Sequence, residues 1–310
     1  MNNQTTNSMK SIRIGTRNSA LALWQAREVA RHLQNNNYLT EIVPIVSSGD
    51  KNLNQPLYSM GITGVFTRDL DVALLNDEID IAVHSLKDVP TQLPHNIEMI
   101  AYLERDYPQD ILIRKESAKN KELHELKLAT SSLRRRAFWL RHYPTTDFSD
   151  IRGNIQTRLQ KLEDGDFDAT ILSLAGIKRM KMEIDYEMLP VMISAPSQGV
   201  IAVAGHSDKP EINEILKQIN HAPTQICVEI ERNFLSTLEG GCTAPIGAFA
   251  EIIEDQIRFT AALCSLDGKN CIAIDENFEY DPSENFGEKF AKVVLENGGK
   301  ELMAEIKSQI

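Results

Sequence analysis

Short β-type runs alternate with amphipathic helical runs through the first half of the chain: SIRIGT (11–16), SALALWQAREVARHLQ (19–34) and TEIVPIVSS (40–48). Strands that pair in parallel need a long crossover between them, usually a helix laid on the sheet, so this order restricts the chain to an α/β architecture with a mostly parallel sheet. Ser19 is placed to cap the first helix, whose Leu21, Trp24, Val29 and Leu33 fall near one face. GVFTRDLDVALLNDE (64–78) reads as a second helix. IDIAVHS (79–85) reads as a buried strand that carries residues 84–88 to its C-terminal end, the edge at which open α/β sheets bind ligands.

A second α/β unit begins near residue 104, with strands DILIRK, LKLATSS and DATILSLAG separated by helices LRRRAFWLRHY and NIQTRLQKLEDG. The Pro/Gly-punctuated stretch PVMISAPSQGVIAVAG (190–205) suits a crossing that returns to the first unit. From about residue 221 the grammar changes to one helix, three β-type runs and a helical tail, which reads as a small α+β domain. The expected division is 10–103 with 198–220, then 104–197, then 221–310.

The chain has 310 residues, 42% of them apolar, enough to fill several cores without metal or disulfides. A formal charge of -11 argues against general binding to nucleic acid or anionic membranes, and any anion site must be concentrated. The polar start MNNQTTNSMK and the lack of a long apolar run lead to the expectation of a cytoplasmic protein. The four cysteines show no metal-ligand spacing, so no metal site is expected. Cys227 and Cys264 lie in apolar patterns that suit buried, inert thiols, whereas Cys242 is set apart by the glycines of LEGGCTAPIG.

Against the acidic background, residues 131–158 carry Arg134, Arg135, Arg136, Arg141, Arg152 and Arg158 against Asp147 and Asp150, a local charge of +4. Guanidinium forks bind carboxylates bidentately, and ATSSLRRR also places free helix N–H groups at a strand end. Arg141 and one of Arg134 to Arg136 fit a solvated helix face by spacing. HSLKDVP (84–90) sets Ser85, Lys87 and Asp88 in one strand-to-loop corner. There a carboxylate either stabilises a cation formed in a reaction or closes the turn before Pro90, and spacing alone leaves both open. GTRNS (15–19) similarly offers an anion cradle at Arg17 and Ser19, or a plain N-cap. His84 is read as a hydrogen-bonding structural residue, and no hydrolase triad is supported.

Taken in order, IRIGTRNSALALWQA, DIAVHSLKDVPT, ATSSLRRR, IRGNIQTRL, PSQG and EGGCTAPIG closely resemble porphobilinogen deaminase (hydroxymethylbilane synthase), from about residue 11 to the C-terminus. The resemblance implies two lobes folded like type 2 periplasmic binding proteins, with mixed sheets and a cleft between them, plus a small α+β C-terminal domain. It implies a transferase that joins four porphobilinogen molecules head to tail, releases ammonia each time, and yields 1-hydroxymethylbilane for tetrapyrrole (haem) biosynthesis. The implied cofactor is a dipyrromethane made from substrate and held by a thioether to Cys242. Loss of ammonia leaves an electron-poor methylene that a soft sulfur captures. Asp88 matches the family's catalytic aspartate. Ser85, Lys87, Asp88, Thr130, Ser132, Arg134, Arg135 and Arg158 match cofactor-binding positions, and Arg17, Ser19, Gln25, Phe66, Arg152 and Gln198 match substrate positions. The family further suggests a monomer.

The match departs from the family pattern in YSMGITGVF (58–66), where Ser59 and Thr63 replace lysines that many members carry. Ser197 and Ala204 stand where a glycine and a glutamate are common. Two hinged lobes with an arginine-lined cleft would also suit a non-catalytic solute-binding protein, and Cys242 separates the readings, because only the enzyme needs a covalent pyrrole group.

Overall fold

The computed structural model describes residues 11–46, 67–238 and 244–310. The expected contacts of Ser59, Thr63, Phe66 and Cys242 lie outside the described residues. The first elements follow the alternation read from the sequence: β1 (Ile12–Arg17), α1 (Ala20–Asn35), β2 (Thr40–Ile45), α2 (Arg68–Leu75), β3 (Ile81–Ser85) and β4 (Ile97–Tyr102). After a crossing come β5 (Asp110–Arg114), β6 (Leu128–Ala129), α3 (Leu133–His142), β7 (Phe148–Ser149), α4 (Ile155–Asp164), β8 (Ala169–Ser173), α5 (Leu174–Arg179) and β9 (Glu187–Met188). A second crossing leads to β10 (Ile201–His206), α6 (Pro210–Lys217) and α7 (Ala222–Thr237). The chain closes with β11 (Ile246–Ile253), β12 (Gln256–Cys264), β13 (Cys271–Phe278), α8 (Phe286–Val294) and α9 (Lys300–Gln309).

Two five-stranded sheets share one plan. The first runs β2-β1-β3-β10-β4 and the second β7-β6-β8-β5-β9. In each, the strand in fourth place is the one that follows a crossing. β10 is antiparallel to β3 and β4, and β5 to β8 and β9, while the remaining strands run parallel to one another. Both sheets are therefore mixed, each with a single reversed strand delivered from the other lobe. The doubly wound plan puts the C-terminal ends of β1, β3 and β6 at the ligand edge.

Helix α1 begins at Ser19, whose hydroxyl accepts from the Ala22 amide, and buries Ala22, Gln25, Ala26, Val29, Ala30 and Leu33. Leu21 and Trp24, expected on the same face, are only half-buried. Leu21 lines a cavity beside Asp88, and the Trp24 ring lies 5.8 Å from the Arg179 guanidinium of the other lobe. In the second lobe Trp139 is fully buried and donates from Nε1 to Thr146 Oγ1 at 2.9 Å, which removes the desolvation penalty of its one polar atom.

The third unit packs α7 and α8 on a three-stranded antiparallel sheet, β11-β12-β13, around Phe234, Phe259 and Phe286. Here one expectation is corrected. Cys264 is buried, as its apolar pattern implies, but it is bonded to Cys271 and is not a free thiol. The β12–β13 register sets these two residues directly opposite each other, a cross-strand relation that local patterning does not express. Cys227 is free and buried, and burial pushes its thiol up to about 11, so it is unreactive near neutrality.

Candidate active site

The corner HSLKDVP forms as expected from a strand meeting a turn. β3 ends at Ser85, and a single 3₁₀ turn, Leu86–Asp88, turns the chain out of the sheet. The Leu86 amide donates to Val200 O across the second crossing, and Arg232 of α7 donates to the carbonyls of Leu86, Val89 and Pro90 at 3.4, 3.1 and 2.6 Å. Asp88 is left exposed at the mouth of a cavity of about 80 Å³. Arg17, Ser19, Gln25, His84 and Ser85 line the same cavity.

Sequence-predicted residues from two separate stretches are thus neighbours here. Gln25 is 2% exposed and donates from Nε2 to Ser85 Oγ at 2.8 Å, bridging α1 to β3. His84 differs from its expected role as a hydrogen-bonded structural residue. It is buried, and its Nε2 has no hydrogen-bond partner among the described residues. Burial, with the charge of Arg17, pushes it down to about 4, so it is neutral at pH 7.

The second lobe supplies the cations. Ser132 caps α3 by accepting from the Arg135 amide, and Thr130 Oγ1 accepts from the Ser132 amide at 3.2 Å, so the segment ahead of the helix is held by its own hydroxyls. Arg134 and Arg135 are each 6% exposed, whereas Arg136 turns toward Asp150 and the Phe148 ring and Arg141 is exposed. The spacing argument that sets one of the three and Arg141 on the solvated face therefore agrees with the structure. Arg135 donates from Nε and Nη2 to Asp110 Oδ1 at 3.1 and 2.8 Å, and from Nη1 to Ile171 O at 2.8 Å. Arg134 donates to Ile193 O at 2.6 Å and pairs with Asp110 Oδ2 at 2.7 Å.

Asp110, absent from the sequence-based candidates, is 1% exposed. Burial alone would raise its pKa, but Arg134 and Arg135, with a hydrogen bond from Gln198, hold it well below the usual carboxylate range. Gln198 donates to Asp110 Oδ1 at 3.0 Å and to Pro108 O at 2.6 Å, and its Oε1 accepts from Lys87 Nζ at 3.1 Å. All the polar groups of that side chain are thereby engaged with protein. Burial pushes Lys87 down to about 8, with Arg135 and Arg134 acting in the same direction and Asp88 and Asp110 opposing.

Arg158, on α4, donates from Nε to Gly153 O at 2.8 Å. Burial lowers it to about 10, Arg135 and Arg152 add to that, and Asp88 opposes. The glycine of IRGN, Gly153, has φ 122°, a backbone that only glycine adopts readily, and Arg152 beside it is 8% exposed. Lys87, Arg134, Arg135 and Arg158 thus share one electrostatic neighbourhood with two acids, Asp88 and Asp110. Such an excess of cations, Arg134 and Arg135 buried and Lys87 and Arg158 half-buried, is suited to a ligand that brings several carboxylates.

Comparison with known proteins agrees with this arrangement. Residues 12–214 match the family model described as porphobilinogen deaminase, dipyromethane cofactor binding domain, and residues 225–296 match porphobilinogen deaminase, C-terminal domain. The porphobilinogen deaminase of Desulfitobacterium hafniense is 40% identical over 310 residues, covering 97% of this chain and 99% of its own. That of Desulforamulus reducens is 41% identical, covering 96% and 98%. A probable porphobilinogen deaminase of Methanocaldococcus jannaschii is 46% identical over 261 residues, covering 83% and 89%. With both family models matched in order on a chain whose two lobes and third unit follow that division, this protein belongs to the porphobilinogen deaminase family.

Proposed function

We propose that this chain joins four porphobilinogen molecules head to tail with loss of ammonia, giving 1-hydroxymethylbilane, with Asp88 as the catalytic carboxylate and Cys242 as the attachment point of a dipyrromethane. The observation that carries the assignment of residues is the cluster formed by Arg134 and Arg135 on Asp110 and, through Gln198, Lys87, one residue from Asp88, with Arg158 in the same electrostatic neighbourhood, on lobes joined by two crossings. The residues present fit the cofactor: an acidic chain concentrates buried and half-buried cations at one place, as a pyrrole pair bearing acetate and propionate groups requires. When bound, the dipyrromethane supplies a free pyrrole α-carbon as the growing end.

The chain's own residues divide the remaining work. Arg134, Arg135, Arg158 and Lys87, with Thr130, Ser132 and Ser85, hold the cofactor's acid groups. Arg17, Ser19, Gln25 and Arg152 hold those of incoming porphobilinogen, with Phe66 and Gln198 as further substrate positions. Asp88, exposed at the cavity mouth, accepts a pyrrole N–H and stabilises positive charge as it develops, which lowers the barrier most where the charge is fixed in place beforehand. Neutral His84 lets the cationic charge of the cavity rest on Arg17. The same reading takes residues 10–103 with 198–220, 104–197 and 221–310 as three domains of a cytoplasmic monomer that does not bind nucleic acid.

Intact mass measurement of protein purified from cells able to make porphobilinogen tests the cofactor assignment. A mass increased by one dipyrromethane, lost in Cys242→Ala, is expected. An unmodified wild-type mass would sink it and favour a solute-binding protein.

A further inference from the structure

One carboxylate organises the cations assigned above to acid groups, and it has no place in that assignment. Asp110 is the first residue of β5, immediately after the first crossing. Its Oδ1 accepts from Arg135 Nε and Nη2 and from Gln198 Nε2, and its Oδ2 faces Arg134 Nη2 at 2.7 Å. Gln198 lies in the second crossing and passes the contact on to Lys87 Nζ. Three cations from two lobes therefore take their places from a single acid.

The geometry leaves capacity for a ligand. A guanidinium has five N–H donors. Hydrogen bonds to Asp110 and main-chain carbonyls engage three on Arg135 and one on Arg134, whose Nη2 meets Asp110 Oδ2 as an ion pair, so both side chains keep uncommitted N–H groups among the described residues. Without Asp110, two adjacent buried guanidiniums would face each other with no counter-ion, and like charges in low dielectric would drive them apart.

We propose that Asp110 is a positioning residue for the reaction: it holds Arg134 and Arg135 at the separation and orientation at which their free N–H groups receive the acid side chains of the pyrrole chain, and through Gln198 it holds the Lys87 ammonium beside Asp88. This rests on the reading of those cations as the acid-group site. A plain structural ion pair would stabilise the protein equally with and without cofactor. A positioning residue contributes to what the cofactor adds.

The test compares thermal midpoints of the full chain in four forms: wild type, Asp110→Asn, and each combined with Cys242→Ala, which removes the tether. In the wild-type background the cofactor raises the midpoint, and Asp110→Asn is expected to reduce that increment by at least half. kcat/KM for porphobilinogen should fall about 100-fold, and Asp110→Glu should restore it to within tenfold. The alkaline fall in kcat/KM set by Lys87 should also move to lower pH in Asp110→Asn, because an anion that favours the ammonium is gone. Equal midpoint losses with and without cofactor, together with an unmoved alkaline fall, would overturn the proposal. Should Asp110→Asn not fold, Gln198→Leu removes the Lys87 arm and the Gln198 bonds to Asp110 and Pro108 while leaving both arginine contacts of Asp110 in place, and an unmoved alkaline fall there overturns it equally. Failure of the site reading itself shows separately, as wild-type protein with no adduct.

Discussion

Glu231 Oε1 lies 2.7 Å from Arg105 Nη2, and this pair ties α7 of the third unit to the first crossing between the lobes. The same oxygen accepts from the Ala250 amide at 2.8 Å, while Oε2 accepts from the Ser197 amide in the second crossing at 2.6 Å. Glu231 is fully buried, so both crossings converge on one desolvated acid.

Removing one partner of such a pair leaves the other charge buried and alone. Glu231→Ala is expected to destabilise the protein by about 3–5 kcal/mol, read as a lower midpoint in urea. A loss under 1 kcal/mol would show that the crossings do not depend on this acid.

Ser197 has φ 66°, is 1% exposed, and its hydroxyl has no hydrogen-bond partner among the described residues. The left-handed backbone costs a non-glycine residue about 1–2 kcal/mol, and the unpaired hydroxyl about another 1. Glycine's greater freedom in the unfolded chain offsets about 0.5–1 kcal/mol of that gain. Ser197→Gly is therefore expected to stabilise by about 1–2.5 kcal/mol, measured by denaturant unfolding, with the Glu231 contact to the residue 197 amide kept.

Lys87, held near 8, loses its charge as pH rises through that value, whereas an ordinary lysine keeps it past 10. Because its cationic form receives the cofactor's acid groups, whose charge favours the ammonium, kcat/KM for porphobilinogen should fall at a pH above 8, below the range of an ordinary lysine. In Lys87→Arg the fall should disappear, at a lower absolute rate because the guanidinium fits the Gln198 contact differently. A profile unchanged by that substitution would exclude Lys87 as its source.

Asp88→Asn keeps the size of the side chain and removes its charge. Adduct mass should be retained while kcat falls about 10²–10⁴-fold, the range for losing one positioned proton acceptor. Near-normal turnover would take the catalytic role away from Asp88.

Much of the scaffold was legible because its signals are local. Alternating periodicities gave the order of strands and helices, and a hydroxyl residue ahead of a helical run gave the cap at Ser19, whereas the Ser132 cap emerged only from the structure. The single reversed strand in each sheet was not readable from periodicity, since direction depends on the path of the crossings. Asp110 escaped because DILIRK shows only an acid ahead of an apolar run. Its partners stand 25 and 88 residues away, and only the folded arrangement makes it a hub. The Cys264–Cys271 bond likewise follows from register across a hairpin. Gln25 and Ser85 were both marked through resemblance, but their mutual bond, 60 residues apart in sequence, belongs to the packing of α1 on β3.

The grip of Arg232 on the carbonyls of Leu86, Val89 and Pro90 has a geometric consequence. Arg232 is ten residues ahead of Cys242 along the chain, on the helix that leads to it. The Leu86–Pro90 corner and helix α7 are thus surveyed from one benchmark, as if bolted to the same rail. Any shift of α7 that keeps these three bonds has to carry the Leu86–Pro90 corner with it, so the end of β3 and the third unit move as one piece.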